Sequence, residues 1–297
     1  MELCYTVDEK TSGQTVKSIL KRQLQISERL LKRLKSNRKI TVNGEVAMVN
    51  RVVDLGDVII SAIDFVETSI DVAPEDMQLL ILYEDEYILA INKQPGMVVH
   101  PTFNHYSGTV ANGVAYHYQK QGLSLKVRPV SRLDRDTSGI IVFAKNQFVQ
   151  EALVRQMKEK TFIKEYIGVV SGILAKEKGT IDLPIARKEG SIIAREVSDK
   201  GDPSITYYQV LEYLQGAIKV KFTLGTGRTH QIRVHCQAIG NPLVGETLYS
   251  DIETDLIGRQ ALHSHRVSFL HPVDKREISL VAELPEDIQR LLERLGL

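Results

Sequence analysis

The N-terminal part of the chain carries the apolar spacing of short amphipathic helices. Within residues 27–36, leucines recur at helical spacing, Ser27 stands at the start as a favourable N-cap, and basic side chains occupy the opposite face. Residues 14–24 have a similar amphipathic character. The pattern therefore predicts two short helices in succession, the second with a basic outer surface.

A small sheet is predicted directly after these helices. Residues 39–42 and 45–48 have the composition of strands, and the Asn43-Gly44 pair between them is a strong signal for a two-residue hairpin turn. A Leu-Gly-Asp turn then precedes another apolar run at residues 58–60. The N-terminal segment is thus expected to be a small α+β unit.

The rest of the chain is dominated by strand-like runs, which begin after a polar stretch at residues 69–79 that we expect to be a linker. Helical character is found at residues 147–159 and 229–238. Since helices and strands do not alternate regularly, a doubly wound parallel sheet is disfavoured, and the expected fold is α+β with a mostly antiparallel mixed sheet. The predicted strands cover residues 79–83, 87–92, 140–144, 166–170, 205–214, 218–224, 266–270 and 277–281.

Length and composition constrain the domain organisation and the compartment. At 297 residues the chain exceeds a typical single domain, so we expect a small domain over residues 1–72 and a larger one over residues 73–297. No apolar run approaches the roughly 20 residues that span a bilayer, and the N-terminus lacks the features of a secretory signal. The two cysteines, Cys4 and Cys236, are too few for a disulfide framework or a zinc cluster. A cytoplasmic protein is therefore expected.

The distribution of charge is more informative than its sum. Between Lys17 and Lys39 there are nine basic residues and one acid, Glu28, so this segment carries +8, and the remainder carries −7 because the whole chain is +1. A basic block of this kind suits a phosphate-binding surface, because each lysine or arginine docked on a phosphate releases condensed counterions. A solvated helix surface is the alternative explanation.

A polar turn before one of the predicted strands contains candidate catalytic groups. Asp134 lies between Arg132 and Arg135, and Asp136 directly follows Arg135. The apolar run 140–144 comes next. An aspartate beside arginines stays ionised at neutral pH because opposite charge favours the carboxylate. Taken alone, such a turn is more often a structural, ion-paired element.

A second polar segment, residues 224–235, follows a strand and opens a predicted helix. It has the sequence Leu-Gly-Thr-Gly-Arg-Thr-His-Gln-Ile-Arg-Val-His, in which His230 interrupts the glycine spacing of a dinucleotide-binding loop. His230 and His235 are five residues apart, so they would not share a helix face as zinc ligands. The segment is therefore a cluster of hydrogen-bond donors without a metal or cofactor motif.

Together with a Pro-Gly turn within residues 92–101 and the Lys-x-Tyr sequence ending at Tyr166, these segments resemble the motifs of the RluA/RluD family of RNA pseudouridine synthases. The resemblance spans about residues 80–285. Residues 13–70 resemble the RNA-binding domain named after small-subunit ribosomal protein four. One departure concerns Ser131, because many family members have histidine directly before the Arg-Leu-Asp turn.

The resemblance implies that the chain isomerises uridine to pseudouridine in structured RNA: the glycosidic bond breaks, the base turns within the site, and carbon 5 is joined to the ribose. By the same resemblance Asp134 is the nucleophile or base that attacks the nucleotide's sugar, and Arg233 pairs with it and keeps it charged. Tyr166 stacks on the target base, and its phenol could remove the carbon-5 proton. Arg132 replaces the flipped base in the RNA stack, or else makes a plain phosphate contact.

The resemblance also implies the partners of the protein. The partner is RNA, with large-subunit ribosomal RNA favoured and transfer RNA possible, and no metal, small-molecule cofactor or membrane is expected. Four further residues are expected to support the site or to contact RNA: Asp136, Arg228, His230 and Lys93.

Two other classes of function are weighed against this interpretation. A catalytically inactive RNA-binding or ribosome-assembly protein would be expected to have a damaged aspartate motif, whereas Asp134 is intact. An RNA methyltransferase would need a glycine-rich loop after an early strand of an alternating β-α-β pattern, and the sequence has none.

Overall fold

The computed structural model describes residues 1–65, 72–102 and 106–296. Its helices are α1 (Val16–Arg22), α2 (Glu28–Ser36), α3 (Val110–Lys120), α4 (Gln147–Lys158), α5 (Gln231–Ala238) and α6 (Glu286–Gly296). Its strands are β1 (Glu2–Thr6), β2 (Ile40–Val42), β3 (Glu45–Val46), β4 (Val58–Ala62), β5 (Ile81–Glu84), β6 (Ile88–Lys93), β7 (Ser138–Ala144), β8 (Ile163–Ser171), β9 (Lys178–Asp182), β10 (Ile185–Arg187), β11 (Arg195–Val197), β12 (Ile205–Leu214), β13 (Ala217–Leu224), β14 (Leu262–Leu270) and β15 (Glu277–Val281).

The N-terminal unit has two helices packed on a four-stranded sheet with the order β1-β4-β2-β3. The Ser27 side chain accepts the Leu30 amide, as expected of an N-cap, and α2 buries its three leucines while its basic side chains face outward. Asn43 and Gly44 both have positive φ, at 53° and 83°, which is the conformation of the predicted hairpin turn. The small α+β unit predicted here is confirmed.

The large sheet has nine strands in the order β5-β6-β7-β14-β8-β13-β12-β9, with β15 paired to β14. Its strand pairs are antiparallel except β7 with β14, which is parallel at Ser138 and Gly139. The predicted α+β fold with a mostly antiparallel mixed sheet is therefore confirmed. A Cβ on Gly139 would come within 2.2 Å of the Ser264 carbonyl oxygen, so glycine is required where these two strands meet.

The position of β7 explains its uninterrupted apolar sequence. All seven of its residues are buried. Ile141 and Phe143 pack in one apolar cluster with α3, whereas Ile140 and Val142 pack in another with α4. A strand covered by helices on both faces needs apolar side chains at every position. The polar turn that precedes β7 is thereby held against a rigid core.

Some elements were not predicted: β1, α3, the three strands β9 to β11, and α6. Residues 69–71 of the predicted linker lie outside the described residues. Residues 72–79 contain neither helix nor strand, and the Ala73 carbonyl accepts the side-chain amide of Asn112 in α3. None of the helices in the described residues is long and apolar enough to cross a membrane.

Candidate active site

A cavity of about 1020 Å³ opens beside the turn that precedes β7. Four stretches of chain line it, at residues 98–102, 130–137, 154–166 and 224–233. The cavity contains all four site residues predicted from the sequence, namely Arg132, Asp134, Tyr166 and Arg233. Its size lies at the upper end of the range of about 300–1,000 Å³ that is usual for ligand pockets.

Arg233 donates hydrogen bonds to two carboxyl groups, those of Asp134 and Glu246. Arg233 donates from Nε and Nη2 to the two oxygens of Glu246 at 2.7 Å each, and from Nη1 to Asp134 Oδ2 at 3.3 Å. The Glu246 carboxylate is fully buried. This bidentate pair fixes the plane of the guanidinium and leaves its remaining nitrogen for Asp134.

The charges of this group are stabilised mutually. Burial raises the pKa of Glu246, but the hydrogen bonds and charge of Arg233 outweigh it and bring the net pKa below its ordinary value. Burial likewise disfavours charged Arg233, but Glu246 and then Asp134 raise the net pKa of its guanidinium. Arg233 is therefore cationic at any pH at which the protein is folded.

His230 and Tyr249 close the other side of the Asp134 carboxylate. His230 Nε2 lies 3.7 Å from Asp134 Oδ1, and His230 Nδ1 is 2.6 Å from the Tyr249 hydroxyl. The Tyr249 hydroxyl oxygen accepts a hydrogen bond from the Arg195 backbone amide. The hydroxyl proton of Tyr249 is therefore free to be donated to His230 Nδ1. Burial lowers the pKa of His230, and the Asp134 charge only partly opposes this. The imidazole is thus neutral at pH 7.

Tyr166 lies on β8, where its side chain is only 5% exposed. It belongs to the same apolar cluster as Ile232 and Leu262, and Leu133, which directly precedes Asp134, packs against that cluster. Burial raises the pKa of Tyr166, the Asp134 charge raises it further, and a hydrogen bond with Ser264 lowers it only in part. The phenol is therefore neutral at pH 7.

Two buried basic side chains donate hydrogen bonds to the backbone of the turn that carries Asp134. Lys93 Nζ donates to the carbonyl oxygens of Gln94 at 2.8 Å, Met97 at 3.0 Å and Arg135 at 2.8 Å. Burial lowers the pKa of Lys93 to about 7, with the Asp136 charge opposing. Because its side chain is fully buried, Lys93 supports the turn and does not reach the surface where RNA would bind.

The second of these basic side chains belongs to Arg259, which lies far along the chain from the turn. Its Nη1 donates to the Asp136 carbonyl oxygen at 2.8 Å. Its Nε and Nη2 donate to the carboxylate of Asp287, in the first turn of α6, at 2.7 and 2.9 Å. The C-terminal helix is thereby connected to the turn that carries Asp134 through one guanidinium.

Of the remaining predicted residues, Arg132 and Arg228 line the cavity, whereas Asp136 does not. Arg132 is exposed and donates to the Thr229 hydroxyl at 3.1 Å. The Asp136 carboxylate pairs with its neighbour Arg135 at 2.9 Å, and Arg228 lies 3.5 Å from Asp202. Exposed guanidinium groups at the rim are placed to meet a large anionic substrate.

Sequence reasoning missed four residues of this network: Glu246, Tyr249, Arg259 and Asp287. They follow no local periodicity or motif, and only the tertiary fold brings them to the site. Among the residues that the structure describes, no cluster of three or more histidine, cysteine or acidic side chains could hold a metal ion. The site is a carboxyl group that accepts a hydrogen bond from an arginine and lies beside a histidine, in a basic, partly apolar cavity.

Comparison with known proteins agrees with this arrangement. The family model described as RNA pseudouridylate synthase matches residues 87–238, and the model of the RluD ribosomal pseudouridine synthase N-terminal domain matches residues 4–59. The chain is 41% identical over 272 residues to the uncharacterized RNA pseudouridine synthase YjbO of Bacillus subtilis (strain 168), covering 91% of this chain and 96% of that protein.

A second relative and a solved structure extend the comparison. Ribosomal large subunit pseudouridine synthase D of Buchnera aphidicola subsp. Acyrthosiphon pisum is 42% identical over 235 residues, which are 75% of each chain. The structure of Human RNA Pseudouridylate Synthase Domain Containing 4 superposes with a TM-score of 0.60 at 22% identity, covering 73% of this chain and 92% of that one, which shows the shared fold. The chain belongs to the RNA pseudouridylate synthase family and is an isomerase that acts on uridine in RNA.

Proposed function

We propose that this protein converts uridine to pseudouridine in large-subunit ribosomal RNA, with Asp134 as the nucleophile. The observation that carries the proposal is the position of the Asp134 carboxyl group in the cavity, 3.3 Å from an arginine whose orientation is fixed by Glu246. Ribosomal RNA is chosen over transfer RNA because several relatives are named for the large ribosomal subunit. A cytoplasmic location follows from that substrate.

The proposed reaction needs no atom from outside the substrate. Asp134 attacks the sugar of the target nucleotide, and the base departs with the electron pair of the glycosidic bond. The base turns over in the cavity and forms a new bond from its carbon 5 to the sugar, which releases Asp134. Carbon 5 then loses its proton while the former glycosidic nitrogen gains one, so the product is an isomer.

The other predicted residues hold the intermediates of this sequence. Arg233 donates a hydrogen bond to Asp134 and keeps its carboxyl group oriented in the cavity. The ring of Tyr166 stacks on the detached base. Its neutral phenol can take the carbon-5 proton only if it passes its own hydroxyl proton to another group in the same step. Arg132 at the rim fills the gap that the flipped base leaves in the RNA stack, where a planar guanidinium offsets part of the few kcal/mol lost on extrusion.

Domain roles are part of the same proposal. Residues 1–72 form the RNA-binding domain and residues 73–297 the catalytic domain. The basic α2 helix and the +8 charge between Lys17 and Lys39 support this division.

The test is the Asp134→Asn variant, which keeps the shape of the side chain but removes its charge. We expect no detectable conversion by the purified variant, with RNA affinity within a few-fold of the wild type. The matched control is Asp136→Asn, two residues away on the same turn, whose carboxylate pairs with the exposed Arg135; it should keep most of its activity. Substantial turnover by Asp134→Asn would overturn the nucleophile assignment.

The target is tested separately by mapping pseudouridines in total RNA from cells with and without the gene. Loss of sites from large-subunit ribosomal RNA is the expected result. Loss from transfer RNA alone would replace the substrate assignment but keep the chemistry. An unchanged map, with an inactive purified protein, would favour an RNA-binding or ribosome-assembly role instead.

A further inference from the structure

The active-site cavity is more basic than the chain as a whole. The chain has nearly equal numbers of basic and acidic residues, 38 and 37. Among the described residues, the cavity lining has six lysine and arginine side chains and a single carboxylate, that of Asp134. Three of the six lie together where α4 ends and β8 begins. We call these the lysine wall: Lys158, Lys160 and Lys164.

The lysine wall has no counter-charge within the described part of the chain. Arg233 is paired with Glu246 and Asp134, and Arg228 approaches Asp202, whereas no ammonium of the wall makes an ion pair or side-chain hydrogen bond there. Surface lysines without partners are common, but a group of three beside a catalytic carboxylate is not explained by solubility alone.

Lys164 is the innermost member of the wall. It stands two residues before Tyr166 on β8, so both side chains leave the same face of the strand and line the cavity. Its Nζ would lie 3.6 Å from a Cβ placed on Gly227, which belongs to another stretch of chain that lines the cavity. Burial lowers the pKa of Lys164 to about 8. A partly desolvated ammonium without a partner carries a free-energy cost that a bound anion would remove.

Lys160 is placed where the backbone favours a different residue. It follows the end of α4 with φ at 59°, in the left-handed region where glycine is usual after a helix. A lysine in that conformation costs roughly 1 kcal/mol relative to glycine. The backbone therefore does not explain the lysine, whereas a function for its side chain does.

The wall is connected to the N-terminal unit through α4. Arg155, one turn before Lys158, donates to the Gln25 carbonyl oxygen at 3.2 Å, and Gln25 lies between the basic helices α1 and α2. A polyanion leaving the cavity over the wall would therefore meet the +8 segment next. We propose that the lysine wall binds consecutive phosphates of the RNA strand beside the target uridine and directs that strand from the cavity to the N-terminal helices. This inference rests on the proposed action on RNA.

The first experiment measures the salt dependence of RNA binding. The probe is a labelled, uridine-containing RNA stem-loop, and the wall is neutralised by combining Lys158→Gln, Lys160→Gly and Lys164→Gln. Each phosphate contact contributes about 0.7 to 0.9 to the slope of log affinity against log salt. The slope should become shallower by about 2 to 3, and affinity near 0.1 M salt should fall roughly tenfold to a hundredfold. The loss of affinity should exceed any loss of maximal single-turnover rate by at least tenfold.

The matched control neutralises three exposed lysines that do not line the cavity and have no ion-pair partner in the described structure, Lys176, Lys178 and Lys200. This Lys→Gln triple variant has the same change of net charge and should keep the wild-type slope. An unchanged slope in the wall variant, or an equal change in the control, would overturn the proposal.

Lys160→Gly alone separates binding from folding. Glycine relieves the left-handed strain, so the variant should be slightly more stable than the wild type and yet bind RNA more weakly. A purely structural role for Lys160 would instead move stability and binding in the same direction, and that result would remove Lys160 from the wall.

Failure of the wall and failure of the proposed function give different results. If the wild type forms pseudouridine and the lysine-wall variant binds RNA with the same salt slope as the wild type, the wall proposal alone is wrong. If binding depends on the wall but the wild type forms no pseudouridine in any RNA, the proposed function is wrong and the wall remains a phosphate site.

Discussion

At the scale of single residues, Glu246 decides where the Arg233 guanidinium points. Replacing it by glutamine sets an amide NH₂ against guanidinium N–H groups and leaves Arg233 with only Asp134 as an anionic partner. Because breaking a buried ion pair typically costs about 3 kcal/mol or more, Glu246→Gln should destabilise the fold by about that amount. The single-turnover rate should also fall at least tenfold, since Arg233 can then move toward Asp134.

The stability part of this prediction has a definite pH dependence. The folded pKa of Glu246 lies below its ordinary value of 4.5, so its contribution to stability is present above pH 4.5 and is lost as pH falls through the lowered folded value. Urea unfolding of wild type and variant should therefore differ most near pH 7 and converge below pH 4.5. Glu253→Gln, an exposed change in the same segment, is the control and should match the wild type. Equal activity of Glu246→Gln and wild type would refute the positioning role.

Glu246 differs from the predicted site residues because no local sequence motif identifies it. Asp134, Tyr166 and Arg233 each stand in a recognisable local motif, and the structure brings them to one cavity. Glu246 follows Arg233 by thirteen positions in a stretch without helix or strand. Only the folded chain brings its carboxylate into contact with the Arg233 guanidinium. Local spacing identifies residues that react or bind, but not the partners that orient them from elsewhere in the chain.

At the scale of secondary-structure elements, α6 supports the turn that carries Asp134 through Asp287 and Arg259. Asp287→Asn removes the charge that holds the Arg259 side chain, whose Nη1 donates to the Asp136 carbonyl oxygen. We expect a loss of about 2 kcal/mol in the free energy of unfolding, because hydrogen bonds to charged groups are the stronger ones. A several-fold loss of turnover should accompany it, since Arg259 is one of the two buried basic side chains that hydrogen-bond the backbone of the turn.

The neighbouring residue of α6 provides the control for this prediction. Glu286 is 80% exposed and pairs only at the surface with Arg290, at 3.6 Å. Glu286→Gln should leave both stability and turnover close to wild type, because exposed ion pairs contribute little. Chemical denaturation and single-turnover assays at saturating RNA measure the two effects. If Asp287→Asn lowers stability without any change in rate, α6 stabilises the fold but does not position the turn that carries Asp134.

The elements differ in how well their sequences predict them. β12 and β15 match the predicted bounds because each has the composition of a strand along its whole length. α3 contains Gly113, an unfavourable residue in a helix, and it is stabilised by a capping box at Thr109 and by burial against β6 and β7. In α6, the spacing of Ile288, Leu291 and Leu295 after two acidic residues is a helix signal that could have been used.

At the scale of the whole molecule, the N-terminal unit and the large sheet share an apolar core. One buried cluster contains Val16 and Leu34 from the N-terminal helices together with Phe148 of α4 and Phe269 of β14. Removing residues 1–72 would therefore expose apolar surface of the remainder, and loss of activity in such a truncation would not identify the role of the N-terminal unit. Changing its charges within the full chain avoids this problem.

The final prediction concerns three exposed basic residues of α2, Arg29, Lys32 and Lys35. Replacing all three by glutamine should make the salt slope for a large structured RNA shallower by about 2 to 3, as each contact with a phosphate is lost. With a minimal stem-loop too short to reach α2, the slope should stay close to wild type. The maximal conversion rate should not change, because the cavity and its carboxylate are intact.

Combining the α2 changes with the lysine-wall changes tests whether one RNA crosses both surfaces. The two sets share no ion-pair partner among the described residues, so their effects on the logarithm of affinity should add on a long RNA. For the minimal stem-loop, only the lysine-wall substitutions should lower the affinity. Anisotropy titrations of the four proteins with both RNAs, between 50 and 300 mM salt, measure this directly. Effects that fail to add on the long RNA would mean that the two basic surfaces bind the substrate in alternative positions and not along one continuous path.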